Sequence, residues 1–432
     1  MSAVLDAVAG GRGVLIPGVS IAFPGGTMRF ASASISSVTG SHYTGRVLNW
    51  GAINYQRSDR GGQLAAVETR VTVDDTDRSI ARVYAGASAG SVRGVAATIY
   101  LMTPDVASAS WMTIFTGVVT KVSFPSPFVA EITLRTQDDQ LQRKSPRGGW
   151  ALTRQNWPNA EPENYGKMAP INYGTADSSK FQTTPALIPT YKIDGVTFRY
   201  LVCAGKAKSI TRVFVDGVAT PTGWTTEYVT RNGRIYTCLN FTTDQGDAEV
   251  TCDLVGFEAV GDGSGAVISN PATQWAHWIS NFVLGDYTSG AWAANSSLID
   301  STSLTTAETR LTRIGATGSH YVADPLTGIE ITARLCQTYK LRAWWNYAGK
   351  IVIAKDDPHV SNPYGGTRWR YYRDETGPFA FRDDDFQRKT RTVARSAYSA
   401  SQQSYLQTLE VVADTATTEL QDFLDMPWSA TH

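Results

Sequence analysis

Residues 67–141 constrain the fold most. The run VETRVTV (67–73) alternates apolar and polar residues, and VAATIYL (95–101), WMTIFTGVV (111–119) and FVAEITL (128–134) follow it, with Asp74-Asp75-Thr76-Asp77 as the first break. Alternation at period two, β-branched and aromatic content, and breaks rich in Gly, Pro, Asp and Ser signal half-buried antiparallel strands. Short strands joined in this way close into barrels or sandwiches. The stretch reads as scaffold, without residues arranged for chemistry.

The remainder repeats the theme. Candidate strands lie at 18–23, 28–30 and 43–50, and again at 198–204, 210–215, 235–241 and 248–254, with Asp216-Gly217 as a hairpin turn. Between them, residues 144–191 lose all periodicity and read as a linker or binding loop. A helix is expected after Asn270-Pro271, with Trp275, Trp278, Ile279, Phe282 and Val283 on one face, His277 on the outer face and Gly285 as its stop. A second helix is expected from Thr305 with Glu308 completing a capping box, and a third over 329–339. Residues 341–345 and 350–353 read as a hairpin, and 390–398 with 406–412 as a last strand pair.

The resulting expectation is a mainly β chain with a small helical subdomain, an α+β multidomain protein with two β-barrel-like domains and insertions. The expected division is an N-terminal barrel-like domain at 1–144, a loop-rich and β-rich middle domain at 145–268, a helical subdomain at 269–340, and a C-terminal β-domain at 341–432 that completes the second barrel. No fixed-period repeat is visible.

Charge excludes one broad class. Basic and acidic residues number 39 each, which argues against a general nucleic-acid binder. Cys203, Cys238, Cys252 and Cys336 lack zinc spacing and read as reduced, buried thiols. The N-terminus makes a poor signal peptide, and no apolar run reaches the length of a membrane span.

Candidate chemistry is sparse. Gly86-Ala87-Ser88-Ala89-Gly90 matches a nucleophile elbow, but that motif needs a strand before the serine and a helix after it, and a loop of small residues is the better reading. None of His42, His277, His320, His359 and His432 sits in a metal-ligand pair. The clusters at 74–77 and 383–385 lack the alternating ligands, turn glycine and closing glutamate of a calcium loop, and read as solvated turns. Gly261-Asp262-Gly263-Ser264-Gly265 lacks the lysine of a phosphate loop and reads as a linker. Arg368-Trp369-Arg370-Tyr371-Tyr372-Arg373 could stack on sugars, nucleic acid or an acidic surface, or be a strand with alternating cations. No catalytic, cofactor-binding or metal-binding residue and no cofactor emerges, and an enzyme is not expected.

The order of several phrases resembles the baseplate hub, or tail-tip, proteins of tailed bacteriophages and related tail-like particles. They are YTGRVLNWG (43–51), SDRGG (58–62), VTVDDTDR (71–78), IFTGVVTKVSF (114–124), APINYG (169–174), NPATQWAHWISNFVLG (270–285), LRAWWNYAGKIVI (341–353) and LQTLEV (406–411). The resemblance implies two barrel-like domains per chain and a homotrimeric ring that adapts a sixfold tail tube to a threefold tip. It also implies a place in the virion after synthesis in the host bacterial cytoplasm. Its implied partners are a distal tail or tail tube protein, a tape measure protein and tail spike or fibre proteins, with contact to the host cell surface and no need for nucleic acid. The alternatives are a receptor- or carbohydrate-binding tail protein and, behind it, a cell-wall glycan hydrolase.

Overall fold

The computed structural model describes residues 14–38, 40–55, 64–86, 92–104, 106–145, 150–176, 188–258, 265–288, 291–355, 391–399 and 404–412. The chain is mainly β, with four α-helices among these residues. It divides into two compact units, each assembled from separated stretches: 1–143 with 296–304 and 327–354, and 144–295 with 305–326 and 355–432.

The first unit is built on nine strands: β1 (Ile16–Phe23), β2 (Gly26–Ala31), β3 (Ile35–Ser36), β4 (His42–Gly45), β5 (Val47–Trp50), β6 (Glu68–Asp74), β7 (Ala96–Met102), β8 (Met112–Ser126) and β9 (Val129–Arg135). Their order in the sheet is β3-β4-β2-β1-β7-β8-β9-β6-β5. β4 pairs with β2 towards one end of that order, and β5 pairs with β6 at the other. Only Arg46 separates β4 from β5. Gly45 and Val47 therefore lie within about 7 Å of each other, because consecutive Cα atoms are about 3.8 Å apart. The two ends of the sheet are thus drawn together at Arg46, and the sheet curves into a barrel-like form in which, among the described residues, no ladder joins β5 to β3 or β4.

Alternation fills the barrel as the sequence leads one to expect. Val19, Ile21 and Phe23 of β1, Val71 and Val73 of β6, Ala97 and Ile99 of β7, and Ala130, Ile132 and Leu134 of β9 are buried. β8 carries inward-facing Gly117 because β9 passes too close for a side chain: a Cβ there would lie 2.3 Å from the Arg135 carbonyl oxygen.

The expected hairpin forms as Leu341–Trp345 paired with Ile351–Lys355. Gly349 takes a left-handed φ of 69°, and a Cβ there would sit 2.8 Å from the Thr116 carbonyl oxygen of β8. Its turn rests directly on the barrel wall.

The helices correct three sequence expectations. α1 (Ser79–Gly86) follows the Asp74–Asp77 turn, where alternation alone signals only a break. α2 (Pro271–Trp278) is capped as expected, Asn270 accepting from the Ala272 amide, but its last turn widens into a π-helix over Ile279–Val283. α3 (Ser301–Arg313) begins before Thr305 because Asp300 accepts from the Ser303 amide at 2.8 Å. Glu308 accepts from the Thr273 hydroxyl at 2.7 Å and takes no part in a cap. The capping box lies instead on α4 (Gly328–Tyr339). There Thr327 accepts from the Glu330 amide and the Glu330 carboxylate accepts from the Thr327 amide.

The second unit places one core between two sheets. Thr175–Ala176, Val250–Phe257, Ala207–Val215 and Val218–Ala219 form one sheet, joined by Ile188–Pro189. Tyr191–Asp194, Arg199–Ala204, Arg234–Phe241 and Trp224–Arg231 form the other. Ile210, Val213, Cys252 and Leu254 from the first meet Tyr200, Val202, Leu239 and Phe241 from the second. The Asp216-Gly217 turn forms as expected, with φ of 49° and 75°. Trp224–Arg231 (WTTEYVTR) is a strand that alternation does not signal, because both its faces carry polar residues. Arg391–Ser399 and Ser404–Val412 form an antiparallel pair, as their sequence implies.

Candidate functional site

Several sequence candidates lie outside the described residues: the Ser88 motif, residues 58–62, 261–264, 368–373 and 383–385, and His359 and His432. What leads into the Ser88 motif is helix α1, where an elbow needs a strand.

The acidic turn at 74–77 is a structural device. Asp75 is fully buried, not solvated as the sequence suggests. Its two carboxylate oxygens accept from the Ile80 and Ala81 amides at the start of α1, at 2.9 and 3.0 Å. Arg46, the residue between β4 and β5, forks onto Asp77 at 2.7 and 2.8 Å and donates its Nε to the Asp74 carbonyl oxygen. The Arg46 guanidinium holds the Asp77 carboxyl down at about 2. Asp75 and Asp77 thus start α1 and hold Arg46, while the Asp74 carboxylate accepts from the Thr76 amide.

His277 is the second correction. A regular helix would turn it outward, yet it is half-buried and Tyr173 Oη lies 2.6 Å from its Nδ1. The π-turn explains this. The Leu284 amide reaches back five residues to the Ile279 carbonyl, and the widened turn sets Phe282 edge-on to His277, ring centroids 6.1 Å apart. Phe257 and Tyr173 complete the ring contacts. Burial lowers the His277 pKa to about 4 and raises that of Tyr173.

The imidazole is therefore neutral in both folded and unfolded chains above pH 6.5. Below that, the unfolded chain takes up a proton that the folded chain refuses until about pH 4, so stability falls through this window. The shift corresponds to roughly 3 kcal/mol. Denaturant titrations from pH 7 to 4 are expected to show this loss, and His277→Gln is expected to flatten the slope.

Elsewhere the reactive groups are muted. Cys203, Cys238, Cys252 and Cys336 are free and buried, and burial pushes the Cys203 and Cys336 thiols up to about 12. Thiols held protonated in this way are poor nucleophiles. Among the described residues no three His, Cys, Asp or Glu side chains are grouped to hold a metal. No helix there is long and apolar enough to cross a membrane.

The surface feature that stands out is cationic. The strands Trp224–Arg231 and Arg234–Phe241 are joined by the tight turn Asn232-Gly233, with φ of 49° and 71°. Arg231 and Arg234 face each other across it. The Arg231 guanidinium lies 5.3 Å over Trp157 and that of Arg234 5.5 Å over Trp150, with Tyr236 edge-on to both indoles. Asn232 donates to the Asn156 side chain at 2.7 Å, tying the turn to the loop that carries Trp157. A guanidinium seated on an indole keeps its N–H edge free to meet a carboxylate. Sequence reasoning missed this site because its aromatic platforms lie about 80 residues from its cations.

No family model matches the chain, and no curated protein does. A chain of the solved virion of a native gene transfer agent particle aligns with 59% of this chain and 84% of its own, at 14% identity and a TM-score of 0.27. A likeness at that level carries no argument about fold or role.

Proposed function

We propose that this chain is a structural protein of a tailed-phage or phage-like particle, the baseplate hub at the distal end of the tail, with three copies closing a ring. The observation that carries the reading is the barrel-like sheet whose two ends are drawn together at Arg46. A hub ring needs rigid barrel-like domains as its repeating part, and closed-ring symmetry lets one surface patch repeat without making open fibres.

The phrases that carry the resemblance also fall on the parts that determine the fold. YTGRVLNWG holds the β4–β5 bend, and VTVDDTDR the acidic turn that Arg46 grips. IFTGVVTKVSF carries the close approach at Gly117, and LRAWWNYAGKIVI the hairpin on the barrel wall. In this reading the chain performs no catalysis. Its partners are a tail tube or distal tail protein on one side and tape measure, spike or fibre proteins on the other, and its place is the virion.

The test is native mass and electron-microscope class averages of the full chain, alone and mixed with a tail tube protein. A threefold ring with a quasi-sixfold outline is expected. A monomer under both conditions that is retained on bacterial surface polysaccharide would overturn the hub in favour of a receptor-binding role.

A further inference from the structure

Among the described residues the strand Trp224–Arg231 is an open sheet edge. It ends the order of its four-stranded sheet and pairs with its neighbour over eight residues without a bulge. In the sheets of more than two strands, the other terminal strands that remain open have two to four residues. Proteins blunt long edges with lysine, proline or bulges, and WTTEYVTR has none of these.

The turn fixes which backbone groups face outward. In a two-residue hairpin the flanking residues, here Arg231 and Arg234, exchange both hydrogen bonds. Inward-facing positions then alternate, so the odd-numbered residues bond the neighbour. The Thr242 amide donating to the Gly223 carbonyl agrees with this parity. The N–H and C=O groups of Trp224, Thr226, Tyr228 and Thr230 therefore point away from the sheet, with the Thr230 carbonyl accepting from the Arg231 guanidinium at 3.1 Å and the other groups left to a partner strand.

Charge selects the occupant. Glu227 is already neutralised by Arg199 through two hydrogen bonds of 2.9 and 3.0 Å. Among the described residues Arg231 enters no ion pair, and Lys206 lies 4.6 Å over the Tyr228 ring. The edge is thus cationic at its turn end. A second copy would bring the same cations and, on this strand, no unpaired carboxylate to meet them.

We propose that this edge takes up an extended, acidic strand of a partner protein, added antiparallel to Trp224–Arg231, with a carboxylate meeting the indole-seated Arg231. Main-chain hydrogen bonds would supply affinity and the arginine would set charge preference. The proposal does not depend on ring assembly.

The probe is a synthetic ten-residue peptide of alternating threonine and valine carrying two glutamates, with its lysine counterpart as control, titrated into the full chain. The glutamate peptide is expected to bind about tenfold tighter or better, in line with a charge-assisted contact. Thr230→Pro removes an outward N–H and no ladder bond, so it is expected to keep its melting temperature and lose binding. Arg231→Glu is expected to reverse the preference between the peptides, a gain that a misfolded variant cannot give. Equal affinities, wild-type binding by Thr230→Pro, or no binding of either peptide at millimolar concentration would overturn the proposal. A dimer of the free chain that Thr230→Pro dissociates would assign the edge to a second copy instead.

Discussion

Replacing Trp278 and Phe282 together by alanine is expected to unfold the second unit. Both side chains are almost wholly buried. Trp278 stacks on Tyr173 with centroids 5.9 Å apart, and Phe282 lies 5.3 Å from Trp150 and 5.8 Å from Phe257. Removing a buried Trp or Phe costs about 3–5 kcal/mol each. The two share a neighbourhood, so their costs will not simply add, and a combined loss of roughly 5–8 kcal/mol is the working figure. That matches the whole stability of an ordinary domain. Hydrogen exchange is the measurement that checks it: protection should vanish at Tyr173, Tyr236 and Phe257 in the double variant. Unchanged protection would mean that the π-turn does not organise this core.

Much of this helix was legible in the sequence. Asn270 and Pro271 announced its start, and the spacing of Trp275, Trp278, Ile279 and Phe282 announced its apolar face. His277 was misread because the side of the helix opposite its apolar stripe is covered too, by Tyr173 and Phe257, and because the i→i+5 bonding after Trp278 brings Phe282 towards it. A π-turn has no sequence signature of its own, and only the packing against Tyr173 and Phe257 reveals it. The same limit appears at Thr305 and Glu308, where a spacing that matches a capping box lost to a stronger competitor. Asp300 offered a carboxylate five residues earlier, and Glu308 found Thr273 instead. The box at Thr327 and Glu330 carries the same pattern, and there both reciprocal hydrogen bonds form.

Strands showed the complementary behaviour. Those with one wet and one dry face, such as β6 and β9, were plain from alternation. Trp224–Arg231 was hidden because its polar residues occupy both faces. A strand at an open edge needs less apolar character than one in mid-sheet, so the signal was weakest at the strand where the structure suggests a partner. The Arg231 site was hidden for a different reason: stacking between residues 157 and 231 is a long-range fact that local pattern does not carry.

The barrel was expected, but the bend that draws its ends together rests on a residue that pattern reading passed over. Arg46→Ala is expected to destabilise the first unit by about 1–3 kcal/mol, because Asp77 is more than half exposed and its pair is screened by solvent, while the charge-assisted bonds and the nearby buried Asp75 keep the cost above that of an ordinary surface pair. The guanidinium is mostly shielded, reaches Asp77 through two bonds, lies 3.7 Å from the fully buried Asp75 and sits 5.5 Å over the Phe30 ring. Its loss would leave the Asp75 and Asp77 carboxylates without their cation. Arg46→Lys keeps the charge and loses the fork, so a partial effect is expected from it. Denaturant unfolding should show the midpoint falling in that order. Acid supplies a second check. The Asp77 carboxyl, held at about 2 in the folded chain against an ordinary 3.8, contributes stability above its ordinary value that is lost as pH falls through the folded one. The gap between wild type and Arg46→Ala should therefore narrow between pH 4 and 2. A gap independent of pH would make Arg46 a packing residue only, and an Arg46→Ala chain as stable as wild type would remove it from the bend altogether.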